Sequence, residues 1–259
     1  MGEVSYRPLI EDMTWIYSRL KSFDDCPYKW FCHYIRGDQE DPMFYASYGS
    51  FIHNILRRYY DGELKKEDLP LEFLSNFSTE VRGERPAQST VVKYIQNGHD
   101  YLKNFKPLPF RTIGVEKELN FDLNGSPFIA FVDYIGENNG KLVVVDHKSR
   151  ELKKRSARKK PTLKDQELDD MLKQLYLYSH GIQQVFGEFP ETLCFNCFRN
   201  GELIEEPFRE DAYLDAIAWA SKKIDEIAGE EEFRPYVDYF QCKYLCGFHE
   251  DCCFWNGRS

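Results

Sequence analysis

Two Asn-Gly dipeptides, Asn124-Gly125 and Asn139-Gly140, constrain this 259-residue chain more than any other feature. Asn-Gly favours a two-residue hairpin turn, and each dipeptide separates segments written in strand period. The segments are TIGVEKELNFDL from Thr112, SPFIAFVDYIG from Ser126 and KLVVVDHKS from Lys141. Turns this tight fix partner and register together, so residues 112–149 read as three consecutive antiparallel strands. Before them the period is helical, over 22–35 with Pro27 near the start, over 48–60 and over 89–105. After them come a basic loop, a helix over 168–186, strands over 191–199 and 202–208 around Asn200-Gly201, and an acidic helix over 211–229. Helices followed by βββ-α-ββ-α describe an α/β (α+β) core, a mixed sheet flanked by helices, with an N-terminal helical insertion and a cysteine-rich tail. We read residues 1–259 as one unit: a helical part over 21–110, an α/β core over 111–210, and a C-terminal helix with the tail over 211–259.

The longest strongly apolar run, residues 142–145, falls far short of the roughly 18 residues of a membrane span. The opening MGEVSYRPLIED has no apolar signal region, so the expected location is cytoplasmic and the expected state of the cysteines is reduced. The net charge of −9 argues against nucleic-acid binding when taken alone, because phosphate attraction dominates such binding. The distribution of charge points partly the other way. Residues 148–164 hold nine Lys/Arg against the single Glu151. Lys153, Lys154, Arg155, Lys159 and Lys160 are the candidates for DNA contacts, and a solvated loop is the alternative.

The third strand ends in Asp146-His147-Lys148. Strand side chains at i and i+2 share a face, so Asp146 and Lys148 project together while His147 points away and offers its carbonyl. Asp133 ends the apolar stretch of the preceding strand, and hairpin pairing brings it near Asp146. Oxygen ligands of this kind suit Mg²⁺ or Mn²⁺. Gly49-x3-His53 puts the imidazole one helical turn above a residue without a side chain, and Gln174-x3-Tyr178 repeats that spacing on the later helix. Glu116 and Glu118 on the first strand offer a further ligand, though exposed strand carboxylates are the commoner reading. No P-loop is present, and neither His-Glu-x-x-His nor His-x-Glu with Pro-Cys-x-x-Cys occurs, which excludes the usual zinc hydrolases and deaminases.

Of the eight cysteines, four fall in the last 18 residues. In a reducing compartment such clustering reads as metal ligation before disulfides. Cys32, Cys194 and Cys197 read as buried small hydrophobes, and Cys194-Phe-Asn-Cys197 lies inside a strand, where a redox motif would not sit.

In their order, Cys26, Gly49-x3-His53, Asp133, Asp146-x-Lys148, Gln174-x3-Tyr178 and the terminal cysteines resemble the PD-(D/E)xK nuclease superfamily. The likeness is to its RecB-like iron-sulfur branch, which includes the AddB nuclease domain and the CRISPR-associated nucleases of spacer acquisition. The resemblance implies a restriction-endonuclease-like core and a Mg²⁺/Mn²⁺-dependent deoxyribonuclease, an exonuclease on single-stranded DNA ends. It implies metal ligation by His53, Asp133, Asp146 and the His147 carbonyl, a water-directing Lys148, and support from Gln174 and Tyr178. It also implies a [4Fe-4S] cluster on Cys26, Cys242, Cys246 and Cys252, and partners in recombination, repair, phage DNA processing or CRISPR adaptation. The branch pattern of one N-terminal cysteine plus C-x2-C-x5-C is stretched here to Cys242-x3-Cys246-x5-Cys252, with Cys253 adjoining. The third C-terminal ligand is therefore open between Cys252 and Cys253, and zinc with His249 is an alternative centre. A catalytically silent nucleic-acid-binding or assembly subunit of the same fold is the alternative function, against which the intact Asp133, Asp146 and Lys148 weigh.

Overall fold

In the computed structural model, which describes residues 5–255, both Asn-Gly turns close as expected. Asn124 and Asn139 take φ of 53° and 52°, followed by Gly125 at 87° and Gly140 at 82°, the paired positive-φ backbone of a tight hairpin. They join β1 (Arg111–Leu123), β2 (Ser126–Asn138) and β3 (Lys141–Lys148). The chain then crosses over through α7 (Leu163–Phe186), so that β4 (Thr192–Cys197) lies parallel to β3, and β5 (Glu202–Pro207) returns antiparallel. The result is a mixed five-stranded sheet in sequence order. The first four residues, part of the opening without an apolar signal region, lie outside the described residues.

Burial along β3 alternates between two cores. Val144 packs with Leu119, Val132, Leu175 and Ile182 under α7, which α8 (Glu210–Ala228) covers in turn. Val143 and Val145 face the other way, with Tyr134, Cys194 and Tyr60. Beyond them α4 (Phe44–Tyr60), α5 (Leu69–Glu80) and α6 (Gln88–Lys103) form a separate core, into which Phe198 reaches from the end of β4. Cys194 and Cys197 are buried in β4 and Cys32 is buried too, as expected of small hydrophobes.

Several boundaries differ from the sequence reading, each for a local reason. After α1 (Arg7–Glu11), the single helix expected over 22–35 is two helices, α2 (Tyr17–Asp25) and α3 (Pro27–Tyr34), with Cys26 extended between them at φ −167° and ψ 109°. Pro27 disfavours a helical residue before it. Helix α7 starts at Leu163 rather than 168, because Thr162 and Asp165 form a capping box. Asp165 also accepts bonds from the Ser156 amide and hydroxyl at 2.7 Å each, and Leu152 is buried, so the basic segment is fastened at two points. The tail docks back on the N-terminal part. Leu245 accepts from Lys29 at 3.2 Å, and Asp41 and Gly247 bond at 3.1 Å. A Cβ on Gly247 would sit 2.3 Å from the Asp41 carbonyl, so only glycine allows this approach. Among the described residues no helix is long and apolar enough to cross a membrane.

Four donors hold the Asp165 carboxyl well below the usual carboxylate range, the Ser156 and Thr162 hydrogen bonds being the cause. A depressed pKa stabilises the fold above the unfolded value and loses that contribution as pH falls through the folded one. Asp165→Ala is therefore expected to lower the melting temperature at pH 7, with the deficit against wild type shrinking below about pH 4. Thermal unfolding followed by circular dichroism across pH checks this.

Candidate active site

The site opens where β2 and β3 part. Their ladder runs from Asn138↔Lys141 to Tyr134↔Val145 and stops there, while β3 continues alongside β4 to Lys148. At the next position the Asp133 carboxylate accepts the His147 amide at 2.6 Å, standing in for the missing backbone carbonyl. Further along, β2 pairs instead with Trp15, which exchanges bonds of 2.8 Å with Pro127 and Ile129.

On the α7 side of this gap, Asp146, Lys148 and Gln174 form a closed set. Lys148 Nζ lies 2.7 Å from Asp146 Oδ2 and donates to Gln174 Oε1 at 2.7 Å, while Gln174 Nε2 donates to Asp146 Oδ1 at 2.8 Å. An ammonium only donates and a carboxylate only accepts, so the amide has one orientation. The second Gln174 N–H goes to the Tyr178 hydroxyl at 2.6 Å, which leaves the phenol proton free to donate into the cleft. Lys148 is close to Asp146 Oδ2 but not aligned for a hydrogen bond, and this buried oxygen has no other partner. A buried carboxylate oxygen whose only neighbour of opposite charge is an ammonium keeps lone pairs available to a metal cation.

On the α4 side, His53 Nδ1 lies 3.4 Å from Asp133 Oδ2, and its ring stands perpendicular to that of His147 at 5.5 Å. His147 turns to the opposite face from Asp146, as its strand position demands, and its Nδ1 meets Asn196 at 2.9 Å. Glu116 joins His53 and Asp133: the ligand atoms of the three lie within 4.8 Å of one another. Strand alternation puts Glu116 and Glu118 on one face, so the sequence offers them together, with exposed strand carboxylates as the commoner reading. The Glu116 φ of 45° departs from strand geometry between Val115 and Lys117, which pair with Tyr134 and Val132 on either side of Asp133. Glu118 instead accepts from Asn120 and stays exposed. Gly49, one turn below His53, is open enough that a Cβ there would meet only Ser149, at an ordinary 3.5 Å.

The two aspartates are driven apart electrostatically. Burial works to raise Asp133, but His53 and the His147 amide outweigh it and hold the carboxyl low. Burial pushes Asp146 up and the Asp133 charge adds to this, with Lys148 opposing. Burial would lower His53, yet the Asp133 carboxylate raises it. His147, buried, falls to about 4 and is neutral near pH 7. Together these groups line a cleft of about 610 Å³ that also includes Tyr45, Asn54 and Arg57. His, Glu and Asp donors beside a buried carboxylate oxygen without a hydrogen bond fit a hard divalent cation such as Mg²⁺ or Mn²⁺.

The remaining expected residues fall into two places. Cys26, Cys242, Cys246 and Cys252 line one enclosed cavity with His249, whereas Cys253 is exposed, 3.9 Å from the Tyr28 hydroxyl. In the basic segment, Arg155 is engaged by Asp169 at 2.7 Å and Glu206 at 2.8 Å, and Lys153 pairs with Glu151. Lys154, Lys159 and Lys160 are exposed. Tyr45 and Arg57 join the site without standing out as chemistry-bearing residues, but their signal is periodic: Tyr45, Gly49, His53 and Arg57 recur at every fourth position and so mark one helix face.

A family model for the PD-(D/E)XK nuclease superfamily matches residues 14–253. Similarity in fold extends to a presumed exonuclease from Eubacterium rectale, over 96% of this chain and 91% of that one, at 13% identity and a TM-score of 0.54. The structure of SSO0001 aligns over 92% of this chain and 95% of its own at 18% identity, but its TM-score of 0.30 carries no weight. No curated protein matches the chain.

Glu116 and Glu118 are separable by experiment. Glu116→Gln is expected to weaken Mn²⁺ binding by at least about tenfold, and Glu118→Gln to leave it unchanged, as measured by isothermal titration calorimetry. Equal affinities for the two variants would remove Glu116 from the centre.

Proposed function

Because the chain belongs to the PD-(D/E)XK nuclease superfamily, we propose that it is a metal-dependent DNA nuclease, an exonuclease acting on single-stranded ends. The observation that carries this reading is the closed Asp146–Lys148–Gln174 set facing the His53–Glu116–Asp133 trio across one cleft. His53, Glu116, Asp133, Asp146 and the His147 carbonyl would hold Mg²⁺ or Mn²⁺. Such an ion, when bound, polarises the phosphoryl oxygen and lowers the pKa of its water. Lys148, held in place by Gln174, directs the attacking water and steadies the negative charge that develops on the phosphate. Tyr178 donates its free proton to a phosphate oxygen. Lys154, Lys159 and Lys160 draw the strand toward the cleft, and Arg155 acts through its ion pairs to shape the loop.

We further propose a [4Fe-4S] cluster on Cys26, Cys242, Cys246 and Cys252, with Cys253 outside it. The shared cavity supports this, as does the position of Cys26 at the start of the helix Pro27–Tyr34, where the Lys29 amide reaches its sulfur at 3.4 Å. A helix N-terminus favours a thiolate. Burial pushes the free Cys246 thiol up to about 11, and a cationic centre would reverse that. Recombination, repair, phage DNA processing and CRISPR adaptation are the settings such an enzyme would serve.

Digestion of end-labelled single-stranded and duplex DNA with Mn²⁺, beside the absorption spectrum of anaerobically purified protein, tests both parts. Lys148→Ala is expected to cut the rate by at least about 10²-fold while keeping Mn²⁺ affinity, and Asp146→Ala to lose both. Wild-type digestion by either variant refutes the assignment. Cys252→Ser should bleach the visible absorption and Cys253→Ser should not; metal analysis separates iron with sulfide from zinc.

A further inference from the structure

Four aromatic side chains from three helices meet at the mouth of the cleft. Tyr45 of α4, which lines the cleft with His53 and Lys148, stands 5.3 Å from Tyr94 of α6 and 6.0 Å from Phe240 of the tail helix Tyr239–Leu245. Phe240 lies 5.4 Å from Tyr244 of the same helix, and Tyr244 is 6.4 Å from Tyr45. The group is not sealed as a core would be. Phe240 is 51% exposed, and Tyr45, Tyr94 and Tyr244 are half-buried. Two cations border it: Arg199 sits 5.5 Å over Tyr94, and Lys243 5.6 Å over Tyr244.

We infer that this cluster is a base-stacking platform that gives the enzyme its preference for unpaired DNA. Open aromatic faces beside positive charge are the chemistry that holds a single strand, the rings taking the bases and the cations the phosphates. A duplex keeps its base faces covered and cannot use such a surface. Geometry ties the platform to the chemistry: Tyr45 and His53 lie on one face of α4, about 12 Å apart along its axis, so a strand stacked at Tyr45 leads directly to the candidate metal ligands. The inference rests on the nuclease reading for the identity of the strand, and it adds the residues that select it.

The test is fluorescence anisotropy in EDTA with a short labelled thymidine strand, an abasic strand of equal length and a blunt duplex. Phe240→Ala and Tyr45→Ala are each expected to weaken binding of the thymidine strand by about 5- to 150-fold, the equivalent of about 1–3 kcal/mol. Neither should change binding of the abasic strand or the duplex. Phe240→Trp should restore affinity and show quenched indole emission on binding, and thermal melts establish that the variants are folded. Equal losses on the thymidine and abasic strands, or no loss, overturn the platform. Digestion with Mn²⁺ keeps the two ideas apart. Cleavage without base-dependent binding leaves the nuclease and removes the platform, and base-dependent binding without cleavage does the reverse.

Discussion

The bond from the His147 amide to the Asp133 carboxylate is the joint on which this structure turns. Two strands that separate must each find partners for their freed amides, since a buried unpaired N–H costs about 1–3 kcal/mol. β3 finds most of its partners on β4, β2 finds Trp15, and at the point of divergence a side chain takes the place of a carbonyl. The sheet is thereby held open with the His147 amide satisfied. The same oxygen faces His53, so one carboxylate serves both the architecture of the gap and the charge within it.

That double use accounts for the opposed behaviour of the two aspartates. Asp133 is surrounded by donors and stays ionised, whereas Asp146 is buried with one oxygen satisfied by Gln174 and the other left to Lys148 alone. An environment that separates the tendencies of neighbouring acids is typical of sites built for chemistry. Gln174 connects them to the helix behind. Its amide translates between a group that can only donate and one that can only accept, which Asn, one methylene shorter, could not span in the same position.

Much of this was legible in the amino-acid sequence, and the exceptions have physical reasons. The Asn-Gly turns define three strands because their backbone conformation is local, and Asp146 with Lys148 follows from strand alternation alone. Glu116 does not, because alternation assumes regular backbone and its φ of 45° breaks that assumption. The helix Leu69–Glu80 was legible too, since Leu69, Phe73 and Phe77 recur at every fourth position, but only packing against α4 and α6 shows which core that stripe joins. Charge counting likewise finds the basic segment but not its division into fastened and exposed residues. Asp169 and Glu206, which engage Arg155, are distant in sequence. The cysteines are legible as a group, while the break at Cys26 follows from Pro27.

The docking of the tail on the N-terminal segment has a consequence for the nascent chain. Lys29 and Asp41 meet Leu245 and Gly247, and the Lys29–Leu245 bond joins residues 216 apart in the chain, the first made well before the second. At about 5–20 residues per second, Lys29 is made roughly 10 to 40 seconds before Leu245. During that interval the sheet and its cleft can assemble, yet the wall that carries Phe240 and Tyr244 is still missing. Translation itself thus delays completion of the surface that leads into the cleft.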